Sequence, residues 1–170
     1  MLSRNLKKTD EKKDQDEFYV TFNLGNEEYG IPIGKIQEVI LVNEIIPVPK
    51  APVYMAGIMK MRDAIITMIN LRVRFNIAAE EGAAGDTRRA IVIHLGTKPI
   101  GLIVDKVNKV IKFREDIEPA PPTIKGINAA NIMGIGKYED RFIILLNIDT
   151  ILSRDELKDF EEQSRNESLF

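Results

Sequence analysis

Apolar and polar residues alternate over residues 18–24, which read FYVTFNL. A period of two is the pattern of a strand that buries one face. Gly25 and Asn26 follow at once, so a tight turn into a second strand is predicted. The inward face of the first strand is predicted to hold Phe18, Val20, Phe22 and Leu24, and its outward face Tyr19, Thr21 and Asn23.

Two other segments, residues 64–69 and 142–148, are apolar at nearly every position. Runs of this kind are typical of strands that are covered on both faces, so these two are predicted to be central strands. Ile33, Ile36 and Ile40 have the spacing of one face of a short helical turn, but their β-branched side chains favour a bent strand about equally. The pattern therefore predicts a mainly β chain with short helices.

A helix is predicted near the end of the chain. Ser153 and Glu156 have the spacing of a capping box, and Leu152 and Leu157 have that of a hydrophobic staple. We therefore expect residues 153–170 to form a C-terminal helix and tail, whose last residues fray because the apolar stripe is thin.

The chain contains an internal repeat. Four residues of the segment 55–71 recur with the same spacing 77 positions later (134 − 57), and residues 24–40 recur from Leu95 at an offset of 71 (95 − 24). The larger offset places extra residues in the second copy, within about residues 123–130. The first set of matched residues is Gly57, Lys60, Asp63 and Asn70 with Gly134, Lys137, Asp140 and Asn147.

This repeat predicts the domain organisation. The first half is expected at about residues 17–75 and the second at about residues 89–152, lying side by side or exchanging strands. Residues 76–88 are small and charged and offer little to bury, so they are predicted to be an exposed linker.

The composition indicates a globular chain with a real core, since 44% of its 170 residues are hydrophobic. The formal net charge is −2, and no segment concentrates arginine with aromatic residues, so nucleic acid is not an expected partner. Residues 1–16 mix lysines with acids, lack the apolar stretch of a signal peptide and are predicted to be a disordered tail. With no apolar run long enough to span a bilayer and no cysteine, a cytoplasmic protein is predicted.

Residues that could support catalysis are few. His94 is the single histidine and there is no cysteine, so neither a zinc site nor a thiol dyad can be assembled. Asp105 and Asp149 are isolated carboxylates, which form caps and turns as often as they act as acids. No glycine-rich phosphate loop precedes a predicted helix. The sequence therefore predicts no enzyme activity, no metal site and no cofactor.

Methionines are concentrated in one segment, at Met55, Met59, Met61 and Met68. Methionine suits a binding surface that adapts to a partner, but it more often fills gaps in a core. The core interpretation is favoured for Met68.

Two charge reversals between the copies point to binding. Arg62 aligns with Glu139, and Glu38 aligns with Lys109. Opposite charges at matched positions cannot make the same packing contacts, so they favour different functions for the corresponding surfaces of the two copies. Ordinary drift of surface residues is the competing interpretation.

Five blocks of the sequence, taken together in their order and spacing, resemble a known family. They are YGIPIGKIQEVI, VPKAPVYMAGIMKMR, INLRVRF, GLIVDKVNKVI and IMGIGKYEDRFIILLNIDTIL. Over residues 17–152 the chain is similar to the CheW family of bacterial chemotaxis coupling proteins. The resemblance implies two five-stranded barrels of the SH3 type, related by the internal repeat.

The resemblance also implies a function. Members are non-enzymatic adaptors that bind the regulatory domain of the histidine kinase CheA and the cytoplasmic signalling tips of methyl-accepting chemoreceptors. Such a protein is recruited to membrane receptor arrays through its partners and does not insert into the membrane itself. Two alternatives come from other classes: a small-ligand sensor, which needs an apolar cavity with convergent polar groups, and an enzyme of unknown type.

Site residues are implied in the same way. A receptor-binding groove between the barrels would include Ile33, Ile36, Glu38, Val104 and Val107, and Arg62 matches an arginine that contacts partners.

The match has departures. Asp63 follows Arg62 where the family usually has glycine, which leaves the conformation of that turn open. Thr67 and Asn70 stand where proline and aspartate are common.

Overall fold

The computed structural model describes residues 18–77, 88–113, 117–119, 129–152 and 156. Strands dominate these residues, so the prediction of a mainly β chain is confirmed. In chain order they are β1 (Phe18–Leu24), β2 (Glu27–Pro32), β3 (Ile36–Leu41), β4 (Met55–Met61), β5 (Ala64–Asn70), β6 (Arg89–Leu95), β7 (Lys98–Val104), β8 (Lys106–Lys112), β9 (Ile117–Glu118), β10 (Ile132–Tyr138) and β11 (Arg141–Leu146).

Short helical turns complete the described chain. The helix α1 spans Leu71–Arg74, and turns of 3-10 helix span Ile33–Lys35, Ala129–Asn131 and Ile148–Thr150. The segment from Ile33 to Ile40 is thus a helical turn followed by a strand. The predicted helical turn is correct for residues 33–35, and the predicted strand is correct from Ile36 onward.

Several sequence predictions lie outside the described residues. They are the N-terminal tail at residues 1–16, most of the linker at 76–88, most of the extra segment at 123–130 and the C-terminal region at 153–170. Glu156 is described in that last region, and it is helical.

The strands form two sheets. Sheet I has the order β8-β1-β2-β11-β10-β9, and sheet II has the order β3-β6-β7-β5-β4. Equivalent strands of the two copies occupy equivalent places: β8 and β3 are edge strands, β1 and β6 lie next to them, and the parallel pair of β2 with β11 matches that of β7 with β5. Each sheet therefore contains strands from both copies, and a sheet is not one half of the sequence.

The asparagines that end the repeated motif have one structural task. The side chain of Asn70 accepts a hydrogen bond from the backbone N–H of Arg72 at 3.0 Å, at the start of α1. Asn147 does the same for Asp149 at 3.2 Å, at the start of a 3-10 turn. In both copies a capping asparagine thus ends a central strand and turns the chain into a helical turn.

Turn geometry also repeats. Gly25 and Gly96 have φ of +61° and +66° in the turns after β1 and β6. Arg62 and Glu139 have φ of +55° and +54° in the turns after β4 and β10, although neither is glycine. In the turn formed by Arg62 and Asp63 the left-handed residue is therefore the arginine, and the residue after it needs no glycine.

Three hydrophobic clusters form the core. The central cluster draws on both sheets, with fully buried Phe22 and Ile31 from sheet I and Ile91 and Leu102 from sheet II. A second cluster belongs to sheet II and a third to sheet I. Sheet I is therefore covered on both faces.

This double coverage explains an incorrect prediction for β1. Tyr19 and Thr21 were expected to face outward, but they are 3% and 0% exposed. The Tyr19 ring packs edge-on against Phe113 in the third cluster, and the Thr21 hydroxyl donates to the carbonyl of Lys109 at 2.9 Å. Alternation fails here because β1 lies between β8 and β2 with apolar groups on both faces.

The methionine-rich segment lies largely in the core. Met68, Met59 and Met55 are 0%, 2% and 7% exposed, so the core interpretation is confirmed for Met68 and extends to two more.

The apolar runs are also buried, except where they begin. Residues 66–69 and 143–146 are buried, but Ile65 is 47% exposed and Phe142 67% exposed.

Candidate partner-binding surfaces

The chain passes between the two sheets at two crossovers within the described residues. The first is the turn Ile33–Lys35, which leads from β2 to β3, and the second is Asp105, between β7 and β8. Apolar residues flank both of them. Ile33 is 37% exposed, and Ile36 is half-buried against the central cluster.

The same positions in the second copy are Val104 and Val107 (104 − 33 and 107 − 36, both 71). Val107 is half-buried against the central cluster, whereas Val104 is a member of it and only 1% exposed. The four apolar residues of the expected groove therefore lie at the two crossovers, and three of them, Ile36, Val104 and Val107, pack in or against the central cluster. Val104 is buried and cannot contact a partner directly.

Glu38 and Arg62 are joined across sheet II. Glu38 lies on the edge strand β3 and Arg62 in the turn after the opposite edge strand β4, yet Nη2 of Arg62 lies 3.6 Å from Oε2 of Glu38. The sheet thus curls so that its two edges approach each other. The register of β3 against β6 shifts between Ile36 and Glu38, which lie opposite Ile93 and Val92. Ile93 belongs to the central cluster and Val92 to the second, so Ile36 and Glu38 face opposite sides of sheet II, and the ion pair begins two residues along β3 from Ile36.

The ion pair leaves the Arg62 side chain available to a partner. The Arg62 side chain is 78% exposed and that of Glu38 is 25% exposed. Oε1 of Glu38 is buried and has no hydrogen-bond partner among the described residues. A buried acceptor without a donor is costly, so Glu38 is held in this position at some expense of stability.

The isolated carboxylates have structural partners. Asp105 accepts hydrogen bonds from the backbone N–H of Gly25 and from Arg72, and Asp149 lies 3.3 Å from Nζ of Lys35. Within the part of the chain that the structure describes, no three His, Cys, Asp or Glu side chains cluster as a metal site requires.

One titratable group has a strongly shifted pKa. Burial raises the pKa of the Tyr29 phenol well above its usual range, and the hydrogen bond and charge of Glu27 raise it further. The phenol donates to Glu27 at 2.7 Å and stacks between Phe22 and Phe75. It belongs to the core and not to a site.

A second exposed apolar surface was missed by sequence reasoning. Ile65 and Phe142 are equivalent residues (142 − 65 = 77) that follow the turns after β4 and β10. A surface pocket of about 770 Å³ adjoins Phe142, with Ile135 and Ile144 among its lining residues. The sequence signal that could have indicated this surface is a large apolar residue shortly after a charged turn in both copies.

No helix among the described residues has the length and apolar character needed to cross a membrane.

The chain is similar to known chemotaxis proteins. A family model described as "CheW-like domain" matches residues 19–156. The chemotaxis protein CheW of Treponema pallidum is 34% identical over 142 residues, which cover 82% of this chain and 84% of that protein. CheW of Klebsiella aerogenes is 33% identical over 141 residues, which cover 82% and 83%.

A solved structure gives the same result. The crystal structure of the scaffolding protein TtCheW from Thermoanaerobacter tengcongensis matches with a TM-score of 0.74 at 32% identity, over 83% of this chain and 90% of that chain. Because the family model, the relatives and the solved structure agree over most of the sequence, the chain belongs to the CheW family of non-enzymatic chemotaxis scaffolding proteins.

Proposed function

We propose that this protein is an adaptor that couples the cytoplasmic signalling tips of chemoreceptors to the histidine kinase CheA. The observation that carries the proposal is the first crossover, where exposed Ile33 and half-buried Ile36 come shortly before Glu38 and its ion pair with Arg62. An apolar surface close to an exposed arginine is suited to another protein and not to a small substrate.

The receptor tip is proposed to dock at this crossover. A chemoreceptor tip is a helical hairpin, and an apolar groove that receives one face of a helix is a common mode of recognition. Ile33 and Ile36 supply the apolar contacts, Val107 extends them, and Glu38 supplies an acceptor for a polar group of the receptor.

The kinase is proposed to bind at the ends of the sheets. Phe142 and Ile65 are large apolar side chains at equivalent positions, and aromatic residues are enriched at the energetic centres of interfaces. Phe142 lies in sheet I, whereas Ile65 follows the turn that holds Arg62 in sheet II, so the end with Phe142 is the one that leaves the receptor surface free for a second partner. Such an adaptor works in the cytoplasm, at receptor arrays to which its partners recruit it.

A small-ligand sensor has less support. The hydrophobic clusters are filled by side chains, and the pocket beside Phe142 lies at the surface, with Glu27, Glu28 and Glu118 among its lining residues. A sensor needs an enclosed apolar cavity with a few convergent polar groups.

Pull-down with the immobilised protein tests the proposal. The regulatory domain of CheA and a receptor signalling tip, applied separately, are each expected to be retained. Retention of neither would contradict the proposed function.

The substitution Ile33→Asp tests the receptor surface. A charge on this exposed contact is expected to weaken receptor-tip binding on the order of fivefold, about 1 kcal/mol, without unfolding the protein. Val53→Asp is the matched control, because Val53 is 87% exposed and lies away from both crossovers in sequence. Equal affinities for the wild type and both variants, measured by titration calorimetry, would remove Ile33 from the interface.

The substitution Phe142→Glu tests the kinase surface. Loss of the exposed ring and its replacement by an anion are expected to weaken CheA binding on the order of fivefold while receptor-tip binding stays unchanged. A parallel loss of both affinities would show instead that the two surfaces are not separate.

A further inference from the structure

Each crossover between the sheets carries an ion pair. At the second, Asp105 pairs with Arg72 of α1, and at the first, Lys35 pairs with Asp149. One partner of each pair is equivalent, since Arg72 and Asp149 are 77 residues apart (149 − 72) and have opposite charges. The other partners are one position apart, because Asp105 is equivalent to Gly34 and Lys35 to Lys106 (105 − 34 and 106 − 35, both 71). The two copies thus carry similarly placed ion pairs that differ in strength.

The pair at the second crossover is extensive and largely buried. Nε of Arg72 donates to Oδ1 of Asp105 at 2.7 Å, and Nη2 of Arg72 donates to Oδ2. Oδ2 also accepts from the backbone N–H of Gly25 at 2.7 Å. The Arg72 and Asp105 side chains are 11% and 22% exposed. One carboxylate thus joins α1, which follows sheet II, to the turn between β1 and β2 of sheet I.

The pair at the first crossover is weak by comparison. Lys35 and Asp149 lie 3.3 Å apart, and their side chains are 49% and 63% exposed. An exposed pair of this kind contributes little, whereas a two-point arginine–carboxylate contact fixes a geometry. The apolar residue beside the weaker pair is also the more exposed one. Ile33, at the first crossover, is 37% exposed, and the equivalent Val104, at the second, is 1% exposed.

We propose that the Arg72–Asp105 pair locks the two sheets together at the second crossover, so that the first crossover alone is open to a partner. Arg72 and Asp105 are then positioning residues. They hold β7 and β8 on one side, and thereby fix where Val107 lies relative to Ile33 and Ile36. This role rests on the proposed docking of the receptor tip at the crossover. It explains how a duplicated chain presents one docking site instead of two.

The test compares Asp105→Asn with Asp149→Asn, which remove the same charge from the two related pairs. The chain has no cysteine, so Lys60→Cys and Lys137→Cys provide unique spin-label sites on exposed positions of β4 and β10, one on each sheet. The distribution of label–label distances is expected to broaden in Asp105→Asn and to match the parent in Asp149→Asn. If Asp105→Asn does not fold, Arg72→Lys serves instead, because lysine keeps the charge but lacks the arginine fork.

Receptor-tip binding supplies the second measurement. Affinity is expected to fall about threefold or more in Asp105→Asn, because the two sides of the groove are no longer pre-organised. Rescue by Asp105→Glu, which restores the carboxylate, would support the positioning role. Unchanged label distances in both Asp105→Asn and Arg72→Lys would overturn the lock. Broadened distances with unchanged affinity would overturn its role in docking, and failure of the wild type to bind the tip would count against the proposed function alone.

Discussion

Gly57→Ala is expected to lower the free energy of unfolding by roughly 3–5 kcal/mol, a large share of the stability of a typical domain. Gly57 has φ of +147°, a conformation that residues with a side chain rarely adopt. A methyl group there would overlap the carbonyl oxygen of Ile46 and lie 2.8 Å from its carbonyl carbon.

The obstacle at Gly57 is backbone and not a flexible side chain. Ile46 and Ile58 exchange two backbone hydrogen bonds, of 2.8 and 2.9 Å, so the Ile46 carbonyl cannot retreat without breaking them. Two lost hydrogen bonds at about 1 kcal/mol each, with conformational strain of about 1–3 kcal/mol, account for the expected loss. Gly134 is confined in the same way by the carbonyl of Glu118, which explains why this glycine is present in both copies.

Gly96→Ala is the matched control. Gly96 also has a positive φ, +66°, but a methyl group there would meet no heavy atom within 4 Å. Only the conformational cost of about 1–2 kcal/mol should remain. Urea denaturation of the two variants measures the difference, and equal losses would show that contact with Ile46 is not the reason for glycine at position 57.

Arg62→Glu is expected to weaken assembly with kinase and receptor more than about tenfold, about 1.4 kcal/mol or above, while folding stays intact. The Arg62 side chain is 78% exposed, so its ion pair with Glu38 contributes little to stability. Reversal of the charge would set a carboxylate beside the half-buried Glu38 and remove an arginine of the kind enriched at interface hot spots.

The repeat shows that the turn accepts this substitution. Glu139 occupies the equivalent position with φ of +54°, against +55° for Arg62, so glutamate is compatible with the backbone there. Glu139→Arg is therefore the matched control, with a charge change of equal size and opposite sign. Quantification of the ternary complex for both variants distinguishes a specific contact from net charge, because equal losses would mean that net charge alone was at work.

Local features of the fold could be predicted from the sequence. The repeated glycines, turns and capping asparagines were visible because each acts within a few residues, and their spacing survives in both copies. The buried runs in β5 and β11 were predicted for the same reason, since continuous apolar sequence reports coverage of both faces.

Features set by distant parts of the chain could not be predicted. Tyr19 is buried because Phe113, far away in sequence, covers its face of the sheet. The connection of Arg72 with Asp105 depends on the parallel pairing of β5 with β7, which no periodicity reveals. Exposure of Ile65 and Phe142 depends on which end of each strand leaves the core, a property of the sheet and not of the strand.

The candidate site was partly predictable. The resemblance supplied Ile33, Ile36, Glu38, Val107 and Arg62, and the structure places the first four at or beside the crossovers. It could not supply the burial of Val104, because the equivalent position in the first copy is exposed and only the fold distinguishes the two.

Bridging of kinase to receptor is the central claim, and retention of CheA on immobilised receptor signalling tips tests it most directly. CheA should be retained in proportion to the amount of this protein added, and little CheA should be retained when Arg62→Glu replaces the wild type. Equal retention of CheA with and without the protein would contradict the proposed adaptor function.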